Sequence, residues 1–329
     1  MKTLMIPRSR IVPLVSMRRA MNIVEDVFHA HGLGRVQMPA KIYIHLDKYH
    51  GDFRAMPAYI GGMEACGIKW VNVHPGNRSR GLPSVMAVII VSSPKTGLPL
   101  AIMDGTYITS LRTGAAGGIA AKYLARRRSS SAGFVGCGVQ AANQFLALIE
   151  IFRLKTVDVY DTDRARAALF VKRTKLAGLK FRICDNIEEC VRGKDIVVTS
   201  TPSRRPIIDA RWISPGTHIN AIGADAKGKE ELDPAIFKKA GIFVDDVIQA
   251  SHSGEINVPI AEKMIKISDI RSTLGEVIAK KKKGRRSQED ITIFDSTGLA
   301  VQDVAVADYV YRSVLRRRGR RVSGIDLAG

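Results

Sequence analysis

Six consecutive residues near the middle of the 329-residue chain, Gly136-Cys137-Gly138-Val139-Gln140-Ala141, have the types and spacing to hold a pyrophosphate. In such a G-x-G-x-x-A run the first glycine allows a tight turn. The second lets backbone N–H groups approach the phosphates, and the small Ala141 permits close packing of helix on strand. The helix opening at Val139 and Gln140 would then aim its N-terminal N–H groups at the anion. Asp161, 25 residues after Gly136, closes the next expected strand. A carboxylate there, with Thr162 and Asp163 beside it, suits the hydroxyls of an adenosine ribose and repels a 2′-phosphate. The plainer alternative for Asp161 is a helix N-cap, and Arg164 leaves room for the phosphorylated cofactor. Two further strand ends, Thr201-Pro202-Ser203 and Ile222-Gly223-Ala224-Asp225, should face the same crevice, since open α/β sheets bind ligands outside the carboxyl ends of their strands.

The elements that would position these residues follow from periodicity. From Ser131 onward, short apolar strands (Ala132–Cys137, Val157–Tyr160, Lys180–Cys184, Asp195–Ser200, His218–Ile222, Ile242–Asp245) alternate with helices (Val139–Phe152, Asp163–Ala177, Ile187–Val191). That rhythm predicts an α/β fold with a doubly wound parallel sheet. The region before it reads differently. Met17–His31 has apolar residues at helical spacing, Val36–Leu46 alternates as a strand, and Lys69–Val73 is a short strand. Val85–Ser92 and Leu100–Asp104, joined by Pro94-Lys95-Thr96-Gly97, form a hairpin pattern. This is an antiparallel α+β region, followed by a helix of small residues over Thr113–Arg128. The tail after Ile293 reads as an amphipathic helix ending in cations.

Composition narrows the class. Hydrophobic residues at 46% and charged residues at 25% are the balance of a folded globular protein, and the length suggests two domains. The apolar run Val85–Val91 is far short of a bilayer span, and the N-terminus has no secretory stretch, so the expected location is the cytoplasm without membrane attachment. Four scattered cysteines and seven histidines show neither disulfide nor zinc spacing, so no metal is expected. The net charge of +20 raises nucleic-acid binding. Much of the excess, however, sits in three runs, Arg126–Arg128, Lys280–Arg286 and Arg316–Arg321, without the motifs or aromatics of a nucleic-acid reader. These runs read as solvated surface, and no specific nucleic-acid partner is expected.

Five segments in order carry a resemblance: Gly67–Asn77 (GIKWVNVHPGN), Thr109–Ala116 (TSLRTGAA), the GFVGCGVQA loop, Asn220–Asp225 (NAIGAD) and Phe294–Asp303 (FDSTGLAVQD). Together they resemble the ornithine cyclodeaminase/mu-crystallin family over about Met17 to Val310, and look most like its archaeal alanine dehydrogenase branch. The resemblance implies a homodimer with a discontinuous substrate-binding and dimerisation domain, residues 1–115 plus 297–329, and a Rossmann-type NAD-binding domain at 116–296.

It also implies chemistry. Lys69 in GIKWVN matches the family's active-site lysine, an acid/base for the proton steps. Arg112 in TSLRTG matches a residue at the substrate carboxylate and near the cofactor. Lys41 and Arg54 lie on the same domain and could grip that carboxylate. Asp225 matches the catalytic aspartate, placed to orient water or ammonia, and Ser296 stands where the chain re-enters the first domain, near nicotinamide. The implied activity is reversible, NAD-dependent oxidative deamination of L-alanine to pyruvate and ammonia. The alternatives are an ornithine cyclodeaminase, a ketimine reductase, or a mu-crystallin-like binding protein. The cation-rich MPAK…FRAMPAY stretch, with Glu64 as its exception, favours a short apolar substrate side chain over one with a distal ammonium.

Overall fold

The computed structural model describes residues 2–316 and 323–327. Most of the third basic run, from Arg317 to Arg321, therefore lies outside the described residues. The chain divides into two compact units, Met1–Arg112 with Leu299–Gly329, and Thr113–Gly298.

The first unit is built on one sheet. Its strands are β1 (Lys2–Ile6), β2 (Val36–Gln37), β3 (Ile42–Leu46), β4 (Gly51–Ile60), β5 (Ala65–Val73), β6 (Val85–Ser92) and β7 (Pro99–Asp104). The order is β1-β7-β6-β5-β4-β2, with β3 also on β4 and a tail strand, Gly324–Asp326, outside β1. The pairings are antiparallel except β1 with β7. The single strand expected over Val36–Leu46 is in fact two, separated at Met38-Pro39-Ala40-Lys41, where Pro39 has no N–H to give a ladder. The strand β4 has no counterpart in the periodicity reading. Its inward positions alternate, but one of them is Arg54, which breaks the apolar pattern.

The helix Ala300–Arg316 packs on β4, β5, β6 and β7, and the helix Met17–Gly32 packs against that helix. The first of these begins at Ala300 rather than directly after Ile293, because Ile291–Asp295 is a strand. Nor is it amphipathic over its first turns: from Ala300 to Ala307 every residue is buried. Small Ala and Val side chains let it lie in the core, which makes Gln302 and Asp303 buried polar groups.

The second unit holds an eight-stranded parallel sheet: β8 (Ser131–Val135), β9 (Thr156–Tyr160), β10 (Lys180–Ile183), β11 (Ile196–Thr199), β13 (His218–Ala221), β15 (Ala240–Val244), β16 (Ile270–Thr273) and β17 (Ile291–Asp295), in the order β10-β9-β8-β11-β13-β17-β15-β16. A separate pair joins β12 (Arg204–Ile208) to β14 (Glu230–Leu232). The order reverses between β8 and β11, the switch point at which an open α/β sheet forms its crevice. The small-residue helix spans Gly105–Leu124. At Gly117 a Cβ would run into the Gln144 side chain, so glycine there allows the helix Val139–Ile149 to come close. Gln144 Nε2 donates to Thr113 O at 2.9 Å across that contact. Among the described residues no helix is long and apolar enough to cross a membrane.

Candidate active site

In the first unit the inward alternation of β5 runs Ala65, Gly67, Lys69, Val71. Lys69 therefore occupies a core position, opposite Met56 on β4 and Ile89 on β6, and is 1% exposed. A lone ammonium would not tolerate that burial. Its partner is Asp303, whose Oδ2 accepts from Lys69 Nζ at 2.6 Å. The other oxygen, Oδ1, accepts from Arg112 Nε at 2.9 Å and from Thr109 Oγ1 at 3.4 Å. Arg112 Nη1 donates to Gln302 Oε1 at 3.1 Å. One turn of the helix Gly105–Leu124 separates Thr109 from Arg112, so both reach the same carboxylate.

The electrostatics of this cluster are uneven. Burial pushes the Lys69 ammonium down to about 7; Asp303 opposes that shift, while Arg112 and Lys41 add to it. Burial raises the Asp303 carboxyl, but Arg112 and Lys69 outweigh it and hold the group below the usual carboxylate range. Two cations thus share one carboxylate, and Lys41 adds a third positive charge toward Lys69. The surplus suits a bound carboxylate, and the lysine can exchange a proton near neutral pH. Arg54 is buried on the same face of β4, donates to both Asp52 oxygens at 2.8 and 3.0 Å, and stacks over Tyr43. Glu64 accepts from the Tyr59 hydroxyl at 2.9 Å at an exposed turn.

In the second unit Gly136 follows β8 with φ +87, and a Cβ there would press on Ser200 O and the Thr201 methyl. Gly138 is the N-cap of the helix Val139–Ile149, makes no side-chain cap, and has open space where a Cβ would point. Uncapped helix N–H groups beside an open glycine fit a pyrophosphate. Asp161 Oδ2 accepts from Cys137 N at 2.8 Å and Oδ1 from Asp163 N at 2.9 Å, so Asp161 braces the glycine loop. The N-cap of the following helix is Asp163, not Asp161. Thr162 and Asp163 are exposed at the same strand end, and Arg164 pairs with Asp185 at 2.5 Å.

The loops at Thr201-Pro202-Ser203 and Ile222-Gly223-Ala224 are joined by one side chain. Glu231 Oε1 accepts from Thr201 N at 2.7 Å, and Oε2 from Gly223 N at 3.0 Å. Glu231 N and Leu232 N in turn donate to Glu255 Oε1, both at 2.7 Å. Asp225 follows on the second loop, with Lys229 Nζ at 2.6 Å from its Oδ1. Ser296 N donates to Ala221 O at 3.1 Å, and its buried hydroxyl has no partner among the described residues, as expected for a group that meets a ligand. Thr297 and Gly298 N instead bond Asp245. Lys69, Arg112 and Lys41 are thus brought together in one unit, and the glycine loop, Asp161, Thr201, Gly223 and Ser296 belong to the other. Asp303, Thr109 and Glu231 were given no role from the sequence, although the first two stand in the segments that carry the resemblance. A carboxylate in an otherwise apolar helix, VQDVAVA, was the available signal for the first.

A parallel sheet of order β10-β9-β8-β11-β13 with a glycine loop after β8 defines a Rossmann-type nucleotide-binding fold, in a chain whose other unit has a mostly antiparallel sheet. The family model for ornithine cyclodeaminase/mu-crystallin matches residues 1–318, and the chain belongs to that family. An alanine dehydrogenase of Archaeoglobus fulgidus is 53% identical over 317 residues, 96% of this chain and 97% of the relative. Among solved structures, an archaeal alanine dehydrogenase dimer with bound NAD matches with a TM-score of 0.95 at 52% identity, covering 99% of this chain and 100% of that one. The Δ1-pyrroline-2-carboxylate reductase of Thermococcus litoralis, in complex with NADH and L-proline, matches with a TM-score of 0.94 at 36% identity, over 99% and 100% of the two chains.

Proposed function

We propose that this chain is an NAD-dependent L-alanine dehydrogenase, interconverting L-alanine, NAD⁺ and water with pyruvate, ammonium, NADH and a proton. The observation that carries this reading is the buried Lys69–Asp303–Arg112 cluster in a chain 53% identical to a named alanine dehydrogenase. Bound NAD supplies the hydride acceptor. Gly136, Gly138, Val139 and Gln140 hold its pyrophosphate, Asp161 with Thr162 and Asp163 its adenosine ribose, and Thr201-Pro202-Ser203, Ile222-Gly223-Ala224 and Ser296 its nicotinamide half. Arg112 and Lys41, with Arg54 behind them, hold the substrate carboxylate. Neutral Lys69 takes a proton at Nζ in alanine oxidation and returns it in the reverse direction. Asp225 orients the water or ammonia that meets the imine carbon. Residues 1–115 with 297–329 form the substrate-binding and dimerisation domain, 116–296 the NAD-binding domain, and the protein works as a cytoplasmic homodimer.

Among Lys41, Lys69, Arg112 and Asp303, the one acid is already shared by two cations, which favours a substrate without a second ammonium. The test is a panel of amino acids with NAD⁺ and NADP⁺, following reduced cofactor and product. Net NADH with alanine is the expected result. Proline from ornithine without net reduction, or reduction of a cyclic imine alone, would replace this reading with a cyclodeaminase or an imine reductase.

A further inference from the structure

Two of the basic runs, about 150 residues apart in the chain, meet on one side of the second unit. They line an open pocket of about 750 Å³ with Lys122, Arg126, Arg127, Arg285 and Arg286, over an apolar floor that includes Phe152. Among the described residues no carboxylate lines it. The volume lies in the range of small-molecule sites.

The pocket is far from the glycine loop by topology. Arg126 and Arg127 precede β8, and Arg285 and Arg286 precede β17, in one parallel sheet. These are the amino ends of the strands, whereas Gly136 and Ser296 follow the carboxyl ends of the same two strands. The inner cations are fixed. Arg126 pairs with Asp195 at 2.5 Å. Arg285 donates mainly to carbonyls, Leu124 O at 2.6 Å, Gly216 O at 3.1 Å and Asp290 O, so hydrogen bonding orients its charge without cancelling it. Burial and the neighbouring Arg126 both disfavour the Arg285 cation, with Asp290 opposing them. Such a concentration of positive charge is relieved by an anion. At the rim, Arg127 and Arg286 are exposed, and no carboxylate among the described residues pairs with either.

We propose that this pocket is a binding site for a compact polyphosphate, free or carried on a nucleoside, separate from the dinucleotide crevice. Guanidinium forks match phosphate oxygens in pairs, and a concave pocket collects several of them on one small anion. A duplex backbone, by contrast, is recognised by an extended stripe of cations.

The test is calorimetric titration of the full-length protein with tripolyphosphate, and separately with ATP, with and without saturating NADH. One-to-one binding that NADH leaves intact is expected. ATP binding more tightly than tripolyphosphate would mark the nucleoside form, and equal or weaker ATP binding the free form. The Arg127→Ala/Arg286→Ala double variant should weaken tripolyphosphate roughly tenfold or more, since each loses a charge-assisted hydrogen-bonding group. Lys238→Ala/Lys239→Ala removes the same charge from an exposed site outside the pocket and should change it less than about threefold. Both pairs are exposed, and unchanged melting of the free proteins would show that each folds. Equal weakening by the two variants, displacement by NADH, or tighter binding of a 20-base-pair duplex than of tripolyphosphate would each overturn the proposal.

Discussion

Both units bury carboxylates, and they answer them differently. In the first unit Asp303 is met by side chains, the Lys69 ammonium, the Arg112 guanidinium and the Thr109 hydroxyl. In the second, Glu231 and Glu255 are met by backbone N–H groups of Thr201, Gly223, Glu231 and Leu232. Side-chain partners can change protonation, and one of them is a lysine brought down to about 7. Backbone partners cannot, so the same residue type there ties loops in place. Burial raises the Glu231 and Glu255 carboxyls, and the Glu231 charge raises Glu255 further; the Thr199 and Thr201 hydroxyls at Glu231, and backbone N–H groups at both, work against that rise. On the function proposed above, a buried acid serves chemistry in one unit and scaffolding in the other, and the partner distinguishes them.

The largest expected effect lies on the chemical side. Lys69→Ala should lower turnover of alanine by ~10²–10⁴-fold, the usual cost of losing a general acid/base, with NADH affinity retained in fluorescence titration. Asp303→Asn comes next. It leaves two buried cations without their shared carboxylate, and should cost about 3–5 kcal/mol in denaturant unfolding. Because Asp303 supports the charged form of Lys69, the same variant should move the acidic limb of the pH–rate profile to lower pH.

On the scaffolding side, Glu231→Gln keeps the shape but has one accepting oxygen, so Thr201 N or Gly223 N loses its acceptor and meets an NH2 group. NADH should bind roughly tenfold more weakly, while kcat at saturating cofactor changes little. A fall in kcat with unchanged NADH affinity would erase the contrast between the two acids. An effect of similar size is expected at Asp161, which braces Cys137 N and is proposed to meet the ribose. Asp161→Ser should narrow the preference for NAD over NADP by about 1–2 kcal/mol in paired titrations. An unchanged ratio would leave it only the loop-bracing role.

Much of the second unit was legible in the sequence, because a buried parallel sheet writes its strands as short apolar runs between helices. The glycine loop stood at the end of such a run. The first unit was harder to read at the places that matter most. Arg54 and Lys69 occupy inward positions of β4 and β5 and break their apolar alternation, so β4 goes unread and β5 is read only over Lys69–Val73. Asp303 becomes Lys69's partner through packing 234 residues away along the chain, which no local spacing encodes. Glu231 reads as part of a charged GKEEL turn, until β14 places it under two distant loops. Pro39 and the strand Ile291–Asp295 mark two further differences, one a missing donor and the other a strand hidden in front of a helix, and the small-residue helix begins at Gly105 rather than Thr113.

The pH dependence of kcat/KM, measured in both directions for the wild type and Lys69→Ala, tests the central claim most directly. The ammonium of Lys69 lies near 7, so neutral Lys69 prevails above that pH and charged Lys69 below it. Alanine oxidation should therefore fall as pH drops through about 7, and pyruvate amination should fall as pH rises through the same region. Both limbs should vanish in Lys69→Ala, leaving a slow rate without them. Limbs that persist in the variant, or a variant that loses NADH affinity while keeping its turnover at saturation, would contradict the assignment of Lys69 as the acid/base.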